Sequence, residues 1–244
     1  MIRSTLFNAA FYVVTACFLF FGSPLLLCPR SWAMAGLSAH ALTCCWLLRV
    51  IVGTRIEVRG RENLPAGAAL IVAKHQSAWD TFGLIPLLHD PAVVMKAELA
   101  AVPVYGWFSR KFGMIFVSRE QKARALKAML AEARDRAAAG RHILIFPEGT
   151  RRTPGAPPDY KPGVAAVYET LNLPCVPVAL NSGLFWPRRQ FRRYPGTLIV
   201  EFLPQIPAGT PRRIFMAKLE EQIETATSLL VAEGRSASQG LGYK

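Results

Sequence analysis

Acidic residues are scarce in this 244-residue sequence: 16 Asp and Glu stand against 29 Lys and Arg, a formal net charge of +13. The expected partners are therefore anionic. Cysteine is scarce too, and Cys17, Cys28, Cys44, Cys45 and Cys175 fall at no spacing that resembles a zinc site or a disulfide framework. An odd count without a pairing pattern suits a reducing, cytoplasmic compartment. Four of the five lie in an apolar N-terminal region, where they read as small buried hydrophobes. No metal and no cofactor is expected. Internal repeats and low-complexity segments are lacking as well, which excludes solenoid and disordered classes.

What is present in excess is apolar: 52% of residues are hydrophobic and mean hydropathy is +0.24, an unusual partner for so high a positive charge. The two properties separate along the chain. Leu6 to Cys28 and Trp32 to Val52 carry almost no charge apart from Arg30 and Arg49, and the basic excess lies downstream. As a helix, Leu6 to Leu27 would extend about 33 Å, close to the thickness of a bilayer's hydrocarbon core. Pro24, Pro29 and Arg30 interrupt the run, and arginines flank both apolar stretches, so charge asymmetry gives no orientation. Two spanning helices, or a hairpin that dips into one leaflet, are both consistent, and a cleaved leader over residues 1–23 is a third reading that lacks a clear cleavage site. Downstream, basic pairs at Arg110-Lys111, Arg151-Arg152, Arg188-Arg189, Arg192-Arg193 and Arg212-Arg213 lie among Trp186, Phe191 and Tyr194. Beside an apolar anchor, such interleaving fits an anionic membrane surface better than nucleic acid, which is not expected as a partner. A solvated basic face is the plain alternative.

After residue 53, short apolar runs recur at Ile56 to Val58, Ala68 to Ala73, Val93 to Met95, Met114 to Val117, His142 to Phe146, Val176 to Leu180 and Leu198 to Phe202, and these read as strands. Between them the clearest helix covers Ser118 to Ala139, with Ser118 and Gln121 as a capping box and Gly140 as its stop. Thr210-Pro211 opens a last helix to about Ala232. The expected fold class is α/β: residues 1–53 anchor the chain, residues 54–234 form one domain over a largely buried sheet, and residues 235–244 are a loose tail.

Two segments carry chemistry, each just after a strand-like run. In His75-Gln-Ser-Ala-Trp-Asp80, a histidine, the residue type suited to taking a proton from an alcohol, precedes a carboxylate able to orient it. Residues five apart on a continuous helix lie about 140° apart round the axis, so the two cannot meet inside one helix. A strand end followed by a helix capped at Ser77 would bring them together, with Asp80 at the third helical position. The same Ser-x-x-Asp pattern is also close to a capping box, and spacing alone leaves both readings open. In Phe146-Pro-Glu-Gly-Thr-Arg151, polar groups emerge at the carboxyl end of a strand, where ligands bind in α/β sheets. Glu148, Arg151 and Arg152 could meet a charged substrate, and guanidinium forks match phosphate oxygens. Alone, this segment reads more readily as a tight turn with a surface ion pair.

Taken together, the two segments resemble those of the glycerolipid acyltransferases, specifically the 1-acyl-sn-glycerol-3-phosphate acyltransferases. His75 to Asp80 is similar to that family's His-x4-Asp block, Gly113 to Arg119 to its second, Phe146 to Arg151 to its third and Val176 to Leu180 to its fourth, in matching order over Val58 to Leu203. One departure is Lys74, where many members carry Asn. The resemblance implies that His75 deprotonates the sn-2 hydroxyl of lysophosphatidic acid and that Asp80 orients the ring. It implies that Arg119, Glu148, Gly149, Thr150 and Arg151 hold the glycerol phosphate, with Lys96 as a further candidate. The co-substrate would be acyl-CoA or acyl-carrier protein, and no acyl-enzyme is needed, in keeping with the lack of a convincing serine or cysteine nucleophile. Val176 and Pro177 are expected to buttress the sheet, and His40, His89 and His142 to be incidental. An enzyme for another acceptor, such as a lyso-ornithine lipid, would show similar blocks; a non-enzymatic membrane adaptor with the same fold is the remaining alternative, against which the intact His75, Asp80, Glu148 and Arg151 argue, since a binding module needs no base.

Overall fold

The structure, a computed structural model, describes residues 1–118 and 122–240. Seven strands form one sheet among the described residues: β1 (Thr54–Arg59), β2 (Ala69–Ala73), β3 (Ala92–Lys96), β4 (Ile115–Val117), β5 (His142–Ile145), β6 (Cys175–Leu180) and β7 (Gly196–Phe202). They lie in the order β1-β7-β6-β2-β5-β3-β4. The five strands from β6 to β4 run parallel, while β7 is antiparallel to β6 and carries β1 parallel to itself. All seven expected strands are present.

The central strands are apolar along their whole length because both sheet faces are covered. All five residues of β2 and all six of β6 are buried. Since successive side chains alternate, Leu70 and Val72 enter one core layer and Ala69, Ile71 and Ala73 the other. Val176 and Pro177 lie within β6, where they support the sheet.

The first layer is roofed by α5 (Lys122–Ala138), α6 (Gly163–Leu171) and α7 (Arg212–Gly240), through Met129, Val164, Val167, Phe215, Leu219 and Ile223. Gln121, half of the expected capping box, lies outside the described residues, as does Arg119. Helix α7 continues past the expected end near Ala232 to Gly240, so helix also occupies the start of the expected loose tail. Leu230 and Val231 are buried, which keeps that part of the helix docked.

The second layer is the N-terminal hairpin, α1 (Ile2–Phe21) and α2 (Arg30–Leu47), followed by a π-helical turn, Leu48–Val52. The sequence suggests a boundary at residue 53, but packing crosses it. Phe7, Leu48 and Val52 share a buried cluster with Ile71, Leu144, Val178 and Leu198. Phe7 meets Trp186 edge-on at 5.3 Å, and Phe11 packs on Phe82 at 5.8 Å. Fully burying a side chain such as Phe7 contributes roughly 2 to 3 kcal/mol, so the hairpin stabilises the sheet it covers.

Both ends of the hairpin touch the α/β body. At its start the Asn8 amide donates to the Phe191 carbonyl at 3.0 Å, and the Ser4 hydroxyl accepts from the Arg193 N–H at 3.0 Å. At its tip Arg30 grips Asp90 with two hydrogen bonds of 2.7 and 2.5 Å. A spanning α1 would carry that tip about 30 Å away to the far side of a bilayer. The hairpin instead lies along the sheet face, with only 11% and 22% of its two most apolar stretches buried.

Asp90 also faces Arg141, at 3.4 Å, whose guanidinium donates to the carbonyls of Asp90, Pro91, Phe112 and Gly113. Burial raises the Asp90 pKa, but the Arg30 hydrogen bond and the charges of Arg141 and Arg30 outweigh it and hold the carboxyl below its ordinary value. A carboxylate with a depressed folded value stabilises the fold fully above its unfolded value and loses that contribution as pH falls through the folded one. Asp90→Asn should therefore destabilise the protein by about 1 to 2 kcal/mol near neutral pH, a figure reduced for partial exposure. Thermal melting of both proteins against pH checks this: the gap should close below pH 4, and a constant gap would mean the pair does not hold the tip.

Candidate active site

The parallel strands place four loops at one edge of the sheet. His75 follows β2, Lys96 ends β3, Ser118 follows β4 and Phe146 follows β5. The His75 to Asp80 and Phe146 to Arg151 segments therefore open at the same edge, while the fourth block, Val176 to Leu180, is the buried strand β6.

After β2 the chain makes a tight turn into a single-turn helix, α3 (Asp80–Gly83), which starts later than the expected cap at Ser77. The fully buried Asp80 carboxylate organises this turn. Its Oδ2 accepts from the Gln76 N–H at 2.7 Å, the Ser77 N–H at 2.8 Å and the His75 ring at Nδ1, 3.0 Å away. The Ser77 hydroxyl accepts from the Trp79 N–H at 3.1 Å. One carboxylate thus accepts both from the backbone of the turn and from the ring. Three converging donors suit a carboxylate, which can only accept. A proton on Nδ1 leaves the Nε2 lone pair as the basic atom. The ring stacks on Phe146 with centroids 4.2 Å apart, which closes one of its faces to water.

The Phe146 to Arg151 segment grips His75 from the other side. Glu148 Oε2 accepts from the His75 N–H at 3.1 Å, and the Arg152 N–H donates to the His75 carbonyl at 2.7 Å. Gly149 turns the chain with φ +60°, a left-handed conformation that an L side chain rarely adopts. The structure corrects the role expected of Glu148. It is 1% exposed and aimed inward, with Oε1 2.6 Å from Lys74 Nζ, and an inward carboxylate cannot hold a phosphate. Burial pushes its carboxyl above the ordinary value, opposed by the charge and hydrogen bond of Lys74 and by the His75 N–H. Arg152 is likewise occupied within its own loop, donating to the Pro157 carbonyl at 3.0 Å.

Arg151 is half-buried at the strand edge, and its guanidinium makes no ion pair among the described residues. Arg188 steadies its backbone by donating to the Arg151 carbonyl at 2.6 Å. Gly149 and Thr150 remain accessible beside it, and Lys96 is exposed at the end of β3. Arg119 lies outside the described residues. His142 joins the His89 N–H to the Pro65 and Gly67 carbonyls, and His40 meets Thr15 and Cys44, so neither pairs with a carboxylate.

Sequence reasoning missed Ser182. Its hydroxyl donates to Asp80 Oδ1 at 2.5 Å and completes the coordination of that carboxylate. Next to it the Gly183 N–H donates to Gln76 Oε1 at 3.0 Å, and a Cβ at Gly183 would stand 2.7 Å from Pro154. The signal was Asn181-Ser-Gly directly after the fourth block, a small-residue turn at the end of a central strand.

The arrangement is an oriented base beside an uncommitted cation, suited to removing a proton from a hydroxyl on an anionic molecule. Asp80→Asn should lower kcat for thioester turnover by about 10²- to 10⁴-fold, the span of general-base catalysis. Ser182→Ala should lower it by about tenfold, since it strands one buried carboxylate oxygen. Steady-state thiol release checks both, and a Ser182→Ala protein with wild-type kcat below its melting transition would leave Ser182 a packing role only.

Comparison with known proteins bears on the family and the fold. A family model described as Acyltransferase matches residues 55–181. The chain is 37% identical over 188 residues to a 1-acyl-sn-glycerol-3-phosphate acyltransferase of Pseudomonas aeruginosa, covering 77% of this chain and 73% of that protein. It is 38% identical over 110 residues to a lyso-ornithine lipid O-acyltransferase of the same organism, covering 45% and 41%. The crystal structure of the 1-acyl-sn-glycerophosphate acyltransferase PlsC from Thermotoga maritima superposes with a TM-score of 0.79 at 22% identity, over 94% of this chain and 96% of that one. That last likeness shows a shared fold, and the family match over more than half of the sequence shows that this chain belongs to the acyltransferase family.

Proposed function

We infer that this enzyme transfers an acyl group from an acyl thioester to the sn-2 hydroxyl of 1-acyl-sn-glycerol 3-phosphate, giving phosphatidic acid. The observation that carries the reading is the Asp80-oriented ring of His75, with Nε2 unburdened, at the same sheet edge as Arg151. Nε2 takes the hydroxyl proton as the oxygen attacks the thioester carbonyl. The C–O bond forms, the tetrahedral adduct collapses with loss of the C–S bond, and the imidazolium returns its proton to the departing sulfur. Arg151 binds the phosphate by charge-assisted hydrogen bonds, with Gly149 and Thr150 shaping the turn and Lys96 and Arg119 as additional cations. The donor is the thioester of coenzyme A or of acyl-carrier protein, both acidic and both suited to a protein of net charge +13.

The hairpin suits a lipid substrate. Phe20, Phe21, Leu27, Trp32, Leu42 and Trp46 are all more than half exposed on a hairpin segment whose Phe7, Leu48 and Val52 are buried in the core. Such a two-sided layer fits one leaflet of a membrane, with the α/β body resting on the cytoplasmic surface and receiving lysolipid from the lipid plane.

Thiol release by detergent-purified protein, with acyl-CoA and acyl-carrier protein as donors and lysophosphatidic or lyso-ornithine lipid as acceptor, tests the reaction. Lysophosphatidic acid should support turnover, and Arg151→Ala should raise its KM by about 10- to 100-fold, as for loss of a charge-assisted pair. Turnover with lyso-ornithine lipid alone would keep the mechanism and change the acceptor, and no turnover with either would favour a membrane adaptor. Deleting residues 1–53 would bare Trp186 and Phe82, so surface changes are the cleaner test of the membrane face. The combined variant Phe21→Glu, Leu27→Glu, Trp46→Glu should melt like the wild type yet leave lipid vesicles on flotation. Undiminished flotation would sink the leaflet reading.

A further inference from the structure

Lys74 immediately precedes the catalytic histidine, and its side chain is withdrawn from solvent, with the residue 2% exposed. Its Nζ stands 2.6 Å from Glu148 Oε1 and 2.6 Å from Glu224 Oε1, so a single ammonium bridges the Phe146 to Arg151 segment and the middle of α7. The Tyr160 hydroxyl donates to the same Glu224 oxygen at 2.8 Å, and the Lys74 ammonium lies 5.8 Å from the Tyr160 ring centroid. The loop from Pro147 to Lys161, which bears Arg151, is thus fastened at both ends: at Glu148 through Lys74, and at Tyr160 through Glu224. Its mouth is closed by the Lys161 N–H donating to the Pro147 carbonyl at 2.8 Å.

We propose that Lys74 is a positioning residue for acyl transfer, holding Glu148 against the His75 N–H while anchoring the Arg151 loop to α7 through Glu224 and Tyr160. The proposal rests on the acyltransferase reading and adds to it a second support for the base, independent of Asp80. Asp80 fixes the ring, whereas Lys74 acts through Glu148 on the backbone that carries it.

The physical case is one of charge balance. Two carboxylates converge on a site that burial makes hostile to anions, and the ammonium between them lets Glu148 stay ionised as an acceptor for the His75 N–H. Asparagine at this position would be too short and uncharged to serve both partners. The groups facing Glu148 are Lys74 and His75 from the end of β2, Glu224 from α7 and Tyr160 from the loop, with Glu220 of α7 acting electrostatically on Tyr160. Without the ammonium, Glu224 would push Glu148 further toward its neutral form, and the state with an ionised Glu148 would require higher pH.

Kinetics of thiol release with lysophosphatidic acid test this. Wild-type turnover must first be present, and its absence would fault the acyltransferase reading instead of this one. Lys74→Met should lower kcat by about 10- to 100-fold with KM within about threefold, and should move the acidic limb of the kcat profile upward by about one pH unit, the scale of losing a close opposite charge. Lys74→Arg, which keeps the cation, should retain several times more kcat than Lys74→Met. The double variant Lys74→Met, Glu148→Gln should recover part of the loss and return the limb, because a neutral amide oxygen can still accept from the His75 N–H. An unmoved limb in Lys74→Met, or a loss that the double variant does not relieve, would overturn the proposal. Should Lys74→Met fail to fold, Glu224→Gln at the outer end of the bridge substitutes: a severalfold drop in kcat supports the role and wild-type kcat refutes it.

Discussion

One buried carboxylate holds the active edge together. Asp80 accepts from two backbone N–H groups, a ring nitrogen and a hydroxyl, and these four donors come from the turn after β2 and from the end of β6. A buried acceptor left without donors would cost about 1 to 3 kcal/mol per missing bond, so the turn, the ring and the Ser182 turn settle into one mutually satisfied arrangement. Stability and chemistry coincide there. The interactions that let the chain bury Asp80 are the ones that give the imidazole its tautomer and direction.

The remainder of the site is layered around that point. Glu148 and Arg152 clasp the backbone of His75, Phe146 covers its ring, and Arg188 steadies Arg151. Part of the basic character that colours the sequence is structural. Arg193 lies over the Trp186 ring at 4.5 Å, donates to three neighbouring carbonyls, and is pushed down to about 10 by burial, so it packs a loop against α1. Arg141 similarly binds four carbonyls at the opposite end of the sheet. Positive charge here serves to satisfy backbone acceptors as well as to meet anions.

The N-terminal hairpin shows how one segment can answer two solvents. Its inner face completes the core with Phe7, Leu48 and Val52, and its outer face leaves large apolar side chains uncovered. A sheet with helices on one face only would expose Ile71, Val178 and Leu198, so the segment proposed to meet lipid is also the segment that closes the fold. Attachment at Asn8 and at Arg30 keeps it flat against the body, a constraint invisible in hydropathy, which measures length and apolarity but not contact.

The sequence by itself determined the seven strands, since doubly buried parallel strands must be continuous apolar runs; for His75 and Asp80 it showed that a strand-to-turn junction would bring them together, but left that pairing open against a plain backbone cap. It also located Arg151 at the strand edge. What only the tertiary structure decided were relations across long separations. Ser182 reaches Asp80 over 102 residues and Glu224 reaches Lys74 over 150. Glu148 turned inward because the nearest cation lay behind the histidine and not in front of it, and local spacing holds no record of that. Periodicity and motif spacing report a residue's own neighbourhood along the chain; the partner of a buried charge is chosen by whichever distant element the fold brings within hydrogen-bonding range.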